Sequence, residues 1–233
     1  MNTITVVGAG MLGSLFIEEL AKRFVAGDID RPLRIIDFDV VESRNIVNQN
    51  FRPEHRGALK AHVMNEIWTA YGFESHDPIF EALTEHNKDM LFEDSGLIVS
   101  ATDNMEARNI AWYHAVGNKI PLLHLGVSQR GTGAVEWSLW DEYESWSLSP
   151  AALQGKKAPP PAIESLRPCE LISFRGLGLN CALAGAKAVG ISLGFDPEHT
   201  VPGVMEGPTY TTWTIFNEGH ALQDTNVLSH QEA

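Results

Sequence analysis

A chain of 233 residues, 44% hydrophobic and 20% charged, is long enough to bury a full core of one or two domains. Its 30 Asp and Glu against 17 Lys and Arg give a formal net charge of −13, which speaks against a nucleic-acid backbone or an anionic membrane as the main partner. The 2 cysteines, Cys169 and Cys181, are too few for a four-cysteine zinc site or a disulfide scaffold, and no segment approaches the roughly 18 apolar residues of a membrane span, so a cytoplasmic protein is expected.

From the N-terminus, Thr3 to Val7 is a β-branched run ending at Gly8, and Leu12 to Phe24 then carries apolar residues at helical spacing, which predicts strand, tight turn, helix. Leu33 to Ile36 is a second buried strand, so the start of the chain has the order of a βαβ unit with a parallel sheet. Leu59, Val63, Ile67 and Tyr71 mark a helix, Gly96 to Ala101 a buried strand, Met105 to Val116 a helix, and Pro121 to Val127 another strand. After Gly131-Thr-Gly133 the run AVEWSLW follows with no helix between, which predicts antiparallel strands. Residues 147–168 are rich in Pro, Ser and Lys and read as an exposed crossover loop. Leu171 to Leu193 reads as a buried helix rich in small residues, and Thr209 to Phe216 as a closing strand. The expected organisation is one domain over 1–217, with 218–233 a polar tail of disordered composition.

Gly8-Ala-Gly10-Met-Leu-Gly13, between a strand and a helix, matches the phosphate-binding pattern G-x-G-x-x-G in its required setting. The first glycine permits a tight turn, the second lets backbone approach a phosphate, and the third lets helix and strand sit close. Asp37, at the end of the second strand, stands where a carboxylate takes ribose hydroxyls; a dehydrogenase would look the same to this point.

The segments that follow separate these readings. Asp37-Phe-Asp39-Val-Val-Glu-Ser-Arg-Asn45-Ile-Val-Asn48-Gln49, then Gly57-Ala-Leu-Lys60, then Asp103-Asn104-Met-Glu-Ala-Arg108, resemble in order and spacing the ThiF/MoeB/HesA family of ubiquitin-activating-type adenylyltransferases. That family's pattern is G-x-G-G-x-G, D-x-D-x-V-x-x-S-N-L-x-R-Q, G-x-x-K and D-N-x-x-x-R, matched here over roughly the first 110 residues. Taken singly, Lys60 would read as a solvated helix residue and Asp103-Asn104 as a helix cap; their joint order points to a site.

The resemblance implies a Rossmann-like ThiF-type α/β domain whose mixed sheet, parallel in its first half and antiparallel in its second, is flanked by helices. It implies an enzyme that uses ATP and Mg2+ to adenylate the C-terminal glycine carboxylate of a small ubiquitin-like (β-grasp) or sulfur-carrier protein, working as a homodimer or beside a ThiF-like partner. Gly8, Gly10 and Gly13 would cradle phosphate, Asp37 would hold the ribose, Asn45 and Gln49 would position nucleotide or protein loops, Asp39 and Asn104 would stand among the nucleotide-binding residues, Lys60 would neutralise phosphate charge, and Asp103 would hold Mg2+. Arg108 would support the Asp103 loop.

The sequence departs from the pattern at Met11, which replaces a glycine, and at Asn48, which replaces an arginine. The family's paired C-x-x-C motifs are absent, so no structural zinc is expected, and with Met1 directly before the first strand the arginine-bearing N-terminal helix of many family members is not expected either. Of the arginines flanking the altered motif, Arg44, Arg52 and Arg56, the expected substitute for the lost guanidinium is Arg52. Cys169, before the long helix, stands where some family members carry a thioester-forming cysteine, whereas Cys181 reads as core packing. His124 reads as a hydrogen-bonded core or strand-end histidine. Two alternatives stay open: a catalytically silent ThiF-like binding partner, and an NAD(P)-binding oxidoreductase, which would leave Lys60 and the Asp103-Asn104-Arg108 group without a task.

Overall fold

The computed structural model describes residues 3–24, 28–127, 132–138, 175–176, 178–183, 185–186, 189–190, 210–216 and 221–226. A seven-stranded sheet organises them in the order β2-β1-β3-β4-β5-β6-β7. Its first four strands, β1 (Thr3–Val7), β2 (Leu33–Ile36), β3 (Ser95–Ser100) and β4 (Leu122–Val127), are mutually parallel. Strands β5 (Thr132–Ser138), β6 (Tyr210–Phe216) and β7 (Ala221–Asn226) pair antiparallel, β5 on β4 and each later strand on the one before.

The parallel strands are buried on both faces, which is why they read as near-continuous apolar runs. Side chains alternate between two cores. Ile4, Val6, Leu97, Val99, Leu123 and Leu125 pack with α1 (Met11–Arg23) and α3 (Lys60–Ala70), together with Cys181 and neighbouring helical residues of 178–189. Val7, Ile98 and Leu122 face the other way, onto α5 (Met105–Asn118) and the one-turn helix α4 (Lys88–Leu91). A further one-turn helix, α2 (Asn45–Asn48), lies between β2 and α3.

The chain crosses from β1 to β2 on one side and to β3 on the other, so the order reverses at the carboxyl ends of β1 and β3. Such a switch point opens a crevice above the sheet. The described residues around 175–190 are helical, within the helix expected from 171 to 193. Strand β7 falls in the segment read from sequence as a polar tail. An edge strand is held by main-chain hydrogen bonds to one neighbour, so it does not need the apolar alternation by which strands are recognised. The crossover expected at 147–168 and Cys169 lie outside the described residues.

Candidate functional site

The glycine loop between β1 and α1 is built on two backbone constraints. Gly8 has φ +93°, a conformation L side chains rarely adopt, and a Cβ at Gly13 would lie 1.9 Å from the Gly8 carbonyl oxygen, so α1 could not start so close to β1 with any larger residue. Gly13 therefore sits beneath the turn rather than facing the crevice. Gly10 differs, since a Cβ there would meet nothing within 4 Å among the described residues. Among the described residues the space beside Gly10 is open, and the first turn of α1 has neither a side-chain cap nor an acidic residue, so its unpaired amides favour an anion there.

Asp37 holds this loop in place. Its Oδ2 accepts from the Ala9 backbone N–H at 2.6 Å and its Oδ1 from the Asp39 N–H at 2.8 Å. Burial pushes its pKa above the ordinary carboxylate value, against the opposing pull of those two hydrogen bonds and the nearby Lys60 charge. Its visible task is to tie the glycine loop to the end of β2; a carboxylate has further lone pairs for a ribose hydroxyl.

Lys60 opens α3 with its side chain 7% exposed, and its Nζ lies 2.8 Å from Asp39 Oδ2. On α2 and just beyond it, Asn45, Asn48 and Gln49 are buried. Asn45 Oδ1 accepts from the Glu42 N–H at 2.8 Å, while Asn48 Oδ1 and Gln49 Oε1 have no hydrogen-bond partner among the described residues. A buried acceptor without a donor is costly, and two beside an open crevice suit a ligand that brings donors. Across the crevice, Asn104 caps α5, its Oδ1 accepting from Glu106 N–H at 2.9 Å and Ala107 N–H at 3.3 Å. Asp103 beside it is exposed. Arg108 donates to the carbonyls of Thr102 (2.5 Å) and Leu125 (3.3 Å), clamping the ends of β3 and β4 under the Asp103 loop.

These groups line one cleft of about 660 Å3, which brings together Gly8, Gly10, Asp37, Asp39, Asn45, Gln49, Lys60, Asp103 and Asn104 of the residues singled out from sequence. Arg52 is not among them. Phe51 is buried and the chain turns at Pro53–His55, leaving the Arg52 side chain 77% exposed and 3.9 Å from Glu54. Arg44 lines the cleft instead, as do Phe38 and the segment Glu81–Leu83, which follows the end of β2 through the hydrogen bond from Asp37 N–H to the Ile79 carbonyl. Nothing in the periodicity of the 79–83 segment marked it. Met11 reaches across to helical Gly178, where a Cβ would come within 3.0 Å of its terminal methyl; the missing side chain at 178 makes room for the one added at 11.

Cys181 is buried, its Sγ 3.8 Å from the Gly126 carbonyl, and burial pushes the thiol up to about 12, as suits core packing. His124 is buried in β4 with its pKa lowered to about 3 by burial and by the Arg108 charge, but the expected hydrogen bond is missing at Nε2, which has no partner among the described residues. No group of three His, Cys, Asp or Glu able to hold a metal occurs among the described residues, so a cation here would rely on Asp103 and on oxygens of its own ligand, a habit of Mg2+. No helix among the described residues is long and apolar enough to cross a membrane.

A glycine loop, a carboxylate at the end of β2 and a cleft at the switch point define a protein with a nucleotide-binding α/β fold. The chain belongs to the ThiF family, whose family model matches residues 2–143. Among solved structures it is similar to PaaA, with TM-score 0.61 and 20% identity, and to Escherichia coli MccB solved with succinimide, with TM-score 0.68 and 14% identity. MccB solved with AMPCPP and MccA gives TM-score 0.67 at 14% identity. These matches cover 97% of this chain and 63% or 64% of the neighbour, so the chain spans less than two thirds of their length, and at these identities the likeness is one of fold. A search of curated protein sequences finds no match.

Proposed function

We propose that the protein is an adenylyltransferase that uses Mg-ATP to activate the C-terminal carboxylate of a small protein, in the first instance a ubiquitin-like (β-grasp) carrier ending in Gly. The observation that carries this reading is the gathering of Gly10, Asp37, Lys60 and Asp103 around one cleft at the switch point. Membership of the ThiF family supports it, as does the fold shared with MccB, which has been solved with AMPCPP and MccA.

In this reading the carrier carboxylate oxygen attacks the α-phosphorus, the bond from that phosphorus to the α–β bridging oxygen breaks, and pyrophosphate leaves with the electron pair. Amides of the glycine loop and the Lys60 ammonium stabilise charge on the phosphate oxygens, where donors already in position need no reorganisation. Asp37 keeps the loop in shape and offers a lone pair to the ribose. Asn45, Gln49 and Asn104 line the nucleotide's bed, with Asn104 committed chiefly to the α5 cap. Asp103 would hold Mg2+, which when bound neutralises phosphate charge. Cys169 is a candidate for later thioester transfer, which adenylate formation itself does not require. A homodimer or a ThiF-like partner would complete the assembly.

Radiolabelled pyrophosphate exchange into ATP, run with candidate carriers, tests the reading. Carrier-dependent exchange that loses its metal dependence in Asp103→Ala supports it. One feature favours a second reading: Asn48 is neutral where the family pattern has arginine. No exchange with a verified carrier would favour a catalytically silent binding partner, and NADH binding in the cleft would favour an oxidoreductase.

A further inference from the structure

Aligned on Asp37, Asp39, Asn45 and Gln49, the family pattern places an arginine at position 48, where this chain has asparagine. A guanidinium reaches the same corner from the other half of the chain. Arg175 Nη1 donates at 3.5 Å to the carbonyl oxygen of Val47, the residue before Asn48 on α2, and Asn48 lines the cleft. We propose that Arg175 is the phosphate-binding arginine of this site, its guanidinium supplied across the rim of the cleft in place of the one lost at position 48. The inference rests on the Mg-ATP reading above.

Four observations carry it. The first is direction: Arg175 and Gly178 are both helical and three residues apart, so they share one helix face. At Gly178 that face turns to Met11, whose terminal methyl lies 3.0 Å from where a Cβ would stand, and Met11 lines the cleft next to Gly10. Arg175 therefore projects toward the glycine-loop end of the cleft. The second is charge: the cleft is lined by Asp37, Asp39, Glu81 and Asp103 against Arg44, Lys60 and Arg108. Lys60 is paired with Asp39, Arg44 with Glu42, and Arg108 spans two strand-end carbonyls, so a triphosphate gains from a further cation brought in at the rim. The third is the tether. A 3.5 Å hydrogen bond is longer than the usual N–H···O range and Arg175 is only partly buried, so exchanging the Val47 carbonyl for a phosphate oxygen costs little. The fourth is Asn48, 1% exposed, whose Oδ1 has no partner among the described residues. A guanidinium has five N–H donors, so Arg175 moved from Val47 onto the neighbouring residue can satisfy Asn48 Oδ1 and a phosphate oxygen together. The amide at 48 then acts as a positioning residue, which gives a reason for asparagine there.

The test is calorimetric titration of Mg-ATP into the whole protein, with adenosine affinity measured by competition. Arg175→Ala is expected to weaken ATP binding about 10-fold or more and leave adenosine binding unchanged, because the lost contact is a charge-assisted bond to phosphate. Arg175→Lys should recover part of the loss, and Arg52→Ala, whose side chain lies outside the cleft beside Glu54, should bind as wild type. Adding Asn48→Arg to Arg175→Ala should restore ATP affinity, since the guanidinium returns to the position of the family pattern; a structural role for Arg175 would not be mended from there. Asn48→Ala should weaken ATP binding less, and should add nothing in the Arg175→Ala background. Arg175→Ala gives up one long hydrogen bond, so its melting temperature should stay close to wild type. Equal ATP affinity in Arg175→Ala and wild type, or a loss shared equally by adenosine, would overturn this assignment while leaving the ATP site standing. No ATP binding by wild type would overturn the Mg-ATP reading and this inference together.

Discussion

The Lys60 ammonium lies 2.8 Å from the Asp39 carboxylate, and the Lys60 backbone N–H donates to the Asp39 carbonyl at 2.9 Å, so the end of β2 and the start of α3 are tied twice through the same two residues. The pair presents the lysine to the cleft already desolvated, with a half-exposed acid as a partner that a phosphate can supplement or displace.

The two residues should therefore fail differently. Lys60→Ala is expected to weaken Mg-ATP binding with little loss of stability, since its remaining partner is half in water. Asp39→Asn leaves an enclosed ammonium without its countercharge and should lower stability by about 1–2 kcal/mol, less than for a fully buried pair because of that exposure. Saturating ATP should raise the melting temperature of Asp39→Asn more than that of Lys60→Ala. Thermal melts with and without nucleotide measure both effects.

The two glycines of the loop give a second contrast. Gly13→Ala places a methyl 1.9 Å from a backbone oxygen and should destabilise the fold severely, by about 3 kcal/mol or more, because strand and helix must separate. Gly10→Ala meets nothing within 4 Å among the described residues and should keep the wild-type melting temperature, yet weaken ATP binding by filling the space beside the first-turn amides. Denaturation and nucleotide titration of the two variants should give opposite profiles.

Met11 and Gly178 form a matched pair. Gly178→Ala is expected to push the flexible end of Met11 back toward the cleft, lowering ATP affinity by about 3- to 10-fold with a small change in stability. Met11→Gly in the same background should return the affinity. Retained affinity in Gly178→Ala would mean that Met11 has another place to go.

Much of this site was legible because its residues are fixed by local backbone needs. Gly8 and Gly13 are imposed by a positive φ and a helix start that touches a strand, and the buried parallel strands announce themselves as apolar runs. Arg52 and Arg44 could not be told apart in sequence, because the deciding event is the burial of Phe51 and the turn at Pro53–His55, which send Arg52 outward. The Asp37 to Ala9 hydrogen bond and the Glu81–Leu83 wall depend on segments far apart in the chain meeting at the end of β2, and no periodicity records that. Strand β7 was missed for a related reason: its pairing lies in the main chain.

His124 provides a pH test of the fold. Its pKa is depressed from 6.5 to about 3, so below pH 6.5 the unfolded chain takes up a proton that the folded chain refuses. Its contribution to stability is complete above pH 6.5 and is lost as pH falls from there toward 3, at about 1.4 kcal/mol per pH unit. His124→Leu should remove this component, so the difference in unfolding free energy between the two proteins should change with that slope between pH 6 and 4. A constant difference over that range would mean that the histidine is protonated in the fold.

If the cleft transfers an adenylyl group to a carboxylate, the α- and γ-phosphates of ATP must end on different products, and each can be followed separately. The protein is incubated with a verified carrier, Mg2+ and ATP radiolabelled at either the α- or the γ-phosphate. Label from the α-phosphate should appear on the carrier's terminal carboxyl in a form that hydroxylamine releases, while label from the γ-phosphate should leave as pyrophosphate. Transfer of the γ-label to the carrier with formation of ADP, or no transfer of either label, would show that the protein is not an adenylyltransferase for that carrier.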